Sequence, residues 1–203
     1  MLRRFILLFG LILSINAFAS TKILFLGDSL TEGLGVDEEK TFPRLVEKSL
    51  REKGKDVTVI NGGISGSTSA SGFSRLKWHL KKPLDILVLE LGANDGLRGI
   101  EVKETDKNLR EIIKLAKEKK TKILLLGLLM PPNYGKKYTN DFEEMYKKIA
   151  TDTKVPFLPF LLEGIAGVKE MNLKDGIHPN EKGHEKLAKL VSNFVEKNLW
   201  KLM

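Results

Sequence analysis

The sequence contains no cysteine. That absence excludes a cysteine nucleophile, every thiolate metal site and any disulfide, so the core alone must hold the fold. Histidine is nearly as scarce, with His79, His178 and His184 the only three in 203 residues. Aromatic residues make up 7% of the chain, and no basic stripe alternates with stacking rings, so a formal charge of +8 carries no nucleic-acid signature. The excess is mostly lysine, interleaved with glutamate on apparent helix faces. It reads as a solvated basic surface, compatible with weak attraction to anionic lipid or acyl substrates. No internal repeat, linker or low-complexity tract divides the chain, and its length suits one well-buried domain.

The N-terminus has a different layout. Arg3 and Arg4 supply a positive start, Phe5 to Ile15 form a mostly apolar stretch, and Ala17-Phe18-Ala19 ends it with small residues two apart. This is the pattern of a secretory signal peptide over residues 1–19, cut after Ala19 and leaving a single domain over 20–203. The apolar part is short for a membrane span, which makes an uncleaved anchor the lesser reading. No cysteine is present to carry a lipid anchor. The expected location is periplasmic or secreted.

Beyond residue 19, apolar runs alternate with amphipathic stretches. Strand-like runs fall at Ile23–Leu26, Val57–Ile60, Ile86–Leu91, Ile123–Leu128 and Val155–Phe160, each apolar on both sides of the pleat. Between them lie helical periods through Phe42, Leu45, Val46 and Leu50, stopped by Gly54, through Leu109, Ile112, Ile113 and Ala116, through Phe142, Met145, Tyr146 and Ile149, and through Leu187, Leu190, Val191, Phe194 and Val195. Alternating strand and helix with right-handed crossovers gives an α/β fold, a three-layer α/β/α sandwich on a five-stranded parallel sheet.

Ligands bind beyond the carboxyl ends of the strands in such a sheet. Ser29 sits just past the first, Gly62, Gly63 and Gly66 follow the second, Asn94 follows the third, and MPPNYG (130–135) follows the fourth. Taken alone, Ser29 reads as a turn former or helix cap, and DGIHPN (175–180) as a surface turn before a helix. Together they acquire chemistry. An aspartate three residues before a histidine can accept from Nδ1–H and leave Nε2 free to take a proton from a serine. That makes Ser29 a candidate nucleophile with His178 its base and Asp175 the orienter. Attack on a carbonyl also needs donors for the developing oxyanion, and the Ser29 N–H, the Gly66 N–H and the Asn94 side chain are candidates.

GDSLTEG, the Gly66 block, GAND and DGIHP resemble, in order, the four signature blocks of the SGNH hydrolases, also called the GDSL family. The resemblance runs from about Lys22 to the final helix. LGANDGLRG, PPNYGKKY and DGIHPN look especially like the bacterial periplasmic branch that hydrolyses acyl thioesters, lysophospholipids and simple esters. It implies a flavodoxin-like sandwich, with Ser29, His178 and Asp175 catalytic and Gly66 and Asn94 as oxyanion donors. It implies no cofactor and no metal, and a small-molecule acyl substrate. The chain is further read as a monomer without a nucleic-acid partner and with at most peripheral membrane contact. A carbohydrate or peptidoglycan O-acetylesterase on the same scaffold is the alternative, followed by a noncatalytic binding module.

Other polar residues are assigned structural work. Asp28 is a loop carboxylate bonded to nearby N–H groups, and Asp95 ties down the Asn94 loop. His184 is expected on a helix surface, and His79 on a packed helix face beside Trp78. Leu97 and Tyr134 are placed equally well in an acyl groove or in ordinary packing.

Overall fold

The computed structural model describes residues 20–199, so the 1–19 leader expectation lies outside the described residues. Five strands, β1 (Thr21–Gly27), β2 (Val57–Gly63), β3 (Ile86–Leu89), β4 (Lys122–Leu126) and β5 (Phe157–Leu158), form one sheet in the order β2-β1-β3-β4-β5, all parallel. The order follows from the side chains. Ile23 to Leu26 in β1 and Ile86 to Leu89 in β3 are buried on both faces, which only central strands covered by helices on both sides achieve.

On one face α2 (Phe42–Glu52) packs against α7 (Glu181–Leu199). On the other lie α3 (Gly72–His79), α5 (Val102–Glu118) and α6 (Lys136–Thr153), packed side by side. Two short helices, α1 (Ser29–Glu32) and α4 (Ala93–Leu97), sit on the carboxyl rim directly after β1 and β3. The three-layer sandwich is therefore present. α2 ends at Gly54, which takes a positive φ of 76° and donates to the Arg51 carbonyl, as its sequence position suggested.

The bounds of four strands and one helix differ from expectation. β2 runs on through Asn61-Gly62-Gly63, which pair with Phe25, Leu26 and Gly27. Gly62 and Gly63 are strand residues, and a Cβ on Gly63 would strike the backbone of α1 at 2.0 Å, so the missing side chain lets that helix lie on the strand. β5 is only two residues long, because the Gly127 carbonyl, next in line on β4, accepts from the Leu161 N–H rather than from Phe160, a one-residue slip that ends the ladder. β3 and β4 each pair for less than the whole apolar run, although the residues beyond stay buried. α3 escapes the periodic reading because only Gly72 and Leu76 are fully buried along it, while Phe73 and Trp78 are exposed.

His184 is a correction. It is 1% exposed and stacks on Phe42, with ring centroids 6.1 Å apart. Its Nδ1 accepts the Phe42 N–H at 3.1 Å, an orphan donor at the start of α2. The Thr41 side chain cannot serve as the cap, because its hydroxyl donates to the Glu38 carbonyl. A residue from α7 thus caps α2. Periodicity within one helix says nothing of a partner 142 residues away.

Candidate active site

Ser29 opens α1 with its side chain at the rim and is itself 9% exposed. Asp28, not Ser29, is the cap, since its Oδ1 accepts the Leu30 N–H at 3.0 Å. That frees the Ser29 hydroxyl, whose Oγ lies 2.9 Å from Nε2 of His178. Nδ1 of the same ring lies 2.8 Å from Asp175 Oδ2, while Oδ1 accepts the N–H groups of Ile177 and His178 at 3.0 Å each. Gly176, at φ 76°, makes this turn possible. The turn is pinned at its base by the Leu173 N–H donating to the His178 carbonyl at 2.7 Å. Hydrogen bonding from the His178 ring and backbone holds the Asp175 carboxyl at about 2, so it is ionised across the working pH range.

Across the rim, Asn94 lies in the first turn of α4, and its Nδ2 donates to Asp28 Oδ2 at 3.0 Å. An amide nitrogen carries two hydrogens, so one remains for another acceptor. Gly66 takes φ 75°, and its carbonyl accepts from Arg98 Nη2 at 2.8 Å. The two loops are further joined by Asp95, which is buried and accepts the Ser69 N–H at 2.8 Å and its hydroxyl at 2.5 Å. Asp95 therefore ties the Asn94 loop to the loop that follows Gly66.

Beneath Ser29 lies a buried polar cluster that the sequence reading did not assemble. Glu90 Oε2 accepts the Asp28 N–H at 3.1 Å and the Thr31 hydroxyl at 2.7 Å. Arg75 Nη2 donates to the carbonyls of Gly27, at 2.9 Å, and Gly62. Burial pushes the Glu90 carboxyl well above the usual range and Asp28 up to about 6, with the Leu30 and Asn94 donors pulling Asp28 back. A signal existed: Glu90 is the one charge inside the apolar run Ile86–Leu91, and a buried acid needs partners.

Next to this arrangement is a cavity of about 460 Å³. Its wall includes Leu30 beside Ser29, Ala93 beside Asn94 and Ile177 beside His178, and it continues over Leu97, Leu128 and Met130. Leu97 is thus a lining residue. Tyr134 is not, but its hydroxyl donates to the Leu97 carbonyl at 3.1 Å and holds that wall from outside. Among the described residues no cluster of three or more histidine and acidic side chains is arranged to hold a metal, and no helix is long and apolar enough to cross a membrane.

The chain is similar to known proteins over most of its length. The profile of the GDSL-like Lipase/Acylhydrolase family matches residues 25–186. An arylesterase of Vibrio mimicus is 40% identical over 200 residues, spanning 98% of this chain and 100% of the relative. "Thioesterase 1/protease 1/lysophospholipase L1" of Escherichia coli (strain K12) is 38% identical over 175 residues, 85% of this chain and 82% of the relative. The crystal structure of the psychrotrophic esterase EstA from Pseudoalteromonas sp., inhibited by monoethylphosphonate, superposes with a TM-score of 0.85 at 31% identity, covering 89% of this chain and 99% of that one.

Proposed function

The chain belongs to the GDSL-like lipase/acylhydrolase family, the SGNH hydrolases, and is an ester hydrolase; from that premise we propose that Ser29, His178 and Asp175 are its catalytic triad. The observation that carries the reading is the unbroken relay, 2.9 Å from the serine hydroxyl to the ring and 2.8 Å from the ring to the carboxylate. Nε2 of His178 takes the Ser29 proton as Oγ attacks an acyl carbonyl, and Asp175 stabilises the imidazolium. The oxyanion is received by the N–H groups of Ser29 and Gly66 and by the second amide hydrogen of Asn94. The alcohol or thiol leaves with the proton from His178. Water, deprotonated by the same ring, then releases the acid from the acyl-enzyme. Every bond made or broken is accounted for by these residues and water, so the cycle invokes no cofactor.

The apolar cavity next to Ser29 supports acyl chains longer than acetyl, since each methylene taken from water adds roughly 0.8 kcal/mol of binding. Acyl esters, acyl thioesters and lysophospholipids share that requirement, and the names of the relatives span arylesterase, thioesterase and lysophospholipase. Export rests on the N-terminal sequence pattern alone.

The test is a substrate panel from acetyl to palmitoyl esters, acyl-CoAs and lysophospholipids, run beside a Ser29→Ala control. The expected result is turnover that rises beyond acetyl and disappears in the control. A preference for acetyl over octanoyl would favour the O-acetylesterase instead. A folded protein that a fluorophosphonate fails to label at Ser29 would favour a binding module.

A further inference from the structure

The buried cluster under Ser29 holds two carboxyl groups whose surroundings differ. Asp28, Thr31 and Glu90 are all fully buried, and Arg75 reaches in from α3. Glu90 Oε2 has two donors, but Oε1 is buried with no hydrogen-bond partner among the described residues, as is Nη1 of Arg75. A carboxylate oxygen buried without a protein donor is far costlier than the same oxygen of a neutral acid. Asp28 is in the opposite position. Both of its oxygens accept N–H donors, Leu30 on one and Asn94 on the other, an arrangement that favours the anion. Arg75, which interacts electrostatically with both acids, then balances one anion. The phenol of Tyr146, also near Glu90, adds no charge and donates to the Leu91 carbonyl at 2.8 Å.

We propose that Glu90 is a positioning residue that works as a neutral acid, clamping the Gly27–Ser29 elbow from beneath and leaving the negative charge on Asp28, which orients the Asn94 amide. The chain of contacts is continuous: Glu90 Oε2 to the Asp28 N–H, the Asp28 carboxylate to Asn94 Nδ2, and the other Asn94 hydrogen toward the oxyanion. Glu90 also fixes the start of α1 through Thr31. The elbow is tight enough that a Cβ on Gly27 would fall 2.0 Å from Thr31 Oγ1 and 2.4 Å from Glu90 Oε2. The shift in the Glu90 carboxyl toward its neutral form, caused first by burial and then by the Asp28 charge, points the same way. If both acids ionised, their repulsion would act on the loop that carries the nucleophile.

The inference rests on the triad and oxyanion assignments above, and its test is separable from theirs. Kinetics are compared for wild type, Glu90→Gln, Glu90→Leu and Asn94→Ala, and for the Glu90→Leu/Asn94→Ala pair, each checked for folding by thermal melting. Glu90→Gln keeps a neutral planar group of the same size, with an acceptor oxygen and an NH2 donor, and is expected to retain kcat within about threefold. Glu90→Leu is expected to lose about a hundredfold in kcat with KM nearly unchanged, the size of losing one oxyanion donor. Because Glu90 acts through Asn94, adding Asn94→Ala to Glu90→Leu should cost much less than Asn94→Ala costs alone. Thr31→Val, which removes one donor to Glu90, provides the same comparison in milder form if Glu90→Leu does not fold. Equal losses for Gln and Leu would overturn the neutral-acid assignment, and strictly additive losses would overturn the link to Asn94. Persistent turnover in Ser29→Ala would instead sink the triad.

Discussion

The Ser29 hydroxyl and Nε2 of His178 meet at 2.9 Å although they stand 149 positions apart in the chain. The topology makes that meeting possible. β1 is an interior strand of the sheet, and α7, which follows the His178 turn, packs back onto α2 beside it. The long connection between Leu158 and Glu181 then crosses the rim and carries the Asp175–His178 turn. Neither residue can do the chemistry alone, because a serine hydroxyl is a weak nucleophile until a base takes its proton.

Ser29→Ala removes the attacking oxygen and nothing that supports the fold, since the α1 cap belongs to Asp28. Turnover of a p-nitrophenyl ester should fall by about three to four powers of ten or more, with Tm changed by no more than a degree or two. Steady-state rates beside a thermal melt decide it. Retained turnover in the folded variant rejects the nucleophile assignment.

Asp175→Asn tests the orienter. The carboxylate accepts from Nδ1 at 2.8 Å and fixes the tautomer that leaves Nε2 basic. An amide can present its N–H to that ring nitrogen and favour the wrong tautomer, so kcat should drop by two to four powers of ten, with the roughly 10⁴-fold loss in a serine-protease triad as the upper guide. KM should hardly move. Stability should also hold, because the side chain is nearly half exposed. A loss confined to KM would mean that Asp175 handles substrate rather than the histidine.

Leu97→Asp probes the cavity wall. Leu97 is partly exposed at the mouth, so a charge there is tolerated by the fold while the apolar lining loses continuity. The kcat/KM for an octanoyl ester should fall by about tenfold while that for an acetyl ester stays within about twofold, because only the longer chain reaches the changed wall. Equal changes on both esters would place the acyl chain elsewhere.

Much of this molecule was legible because buried parallel strands announce themselves. Ile23–Leu26 and Ile86–Leu89 are continuous apolar runs, and their ends put Ser29 and Asn94 on one rim. The Asp175–His178 pair was legible for another reason, since a three-residue spacing across a glycine turn is a local feature. What escaped was nonlocal and polar. Glu90 in its apolar run, Arg75 in a weakly periodic helix and His184 in α7 each take their meaning from partners far off in sequence. Hydrophobic periodicity records which face is buried, and is silent about which polar groups meet there. Gly62 and Gly63 were misread as loop because glycine in a strand looks like a turn until a helix is seen resting on it.

The cap contributed by His184 makes a prediction about acid stability. Burial holds its imidazole at about 4 against 6.5 for the free side chain, since protonation would place a charge in the core and remove the acceptor from the Phe42 N–H. The folded-state value is depressed, so this stabilisation is complete above about pH 6.5 and is lost as pH falls toward 4, amounting to about 3 kcal/mol. Asp28 works in the opposite direction, because its raised value of about 6 favours the folded state at lower pH between its free value of 3.8 and 6. The raw pH curve therefore mixes both, and the useful quantity is the difference between wild type and His184→Gln. Glutamine keeps a carbonyl oxygen for the Phe42 N–H but cannot titrate. Urea unfolding at pH 7.5, 5.5 and 4.5 should show wild type the more stable at 7.5, with the advantage shrinking or reversing by 4.5. A constant difference across the three values would mean that His184 titrates alike in the folded and unfolded chains, and the buried cap would have to be abandoned.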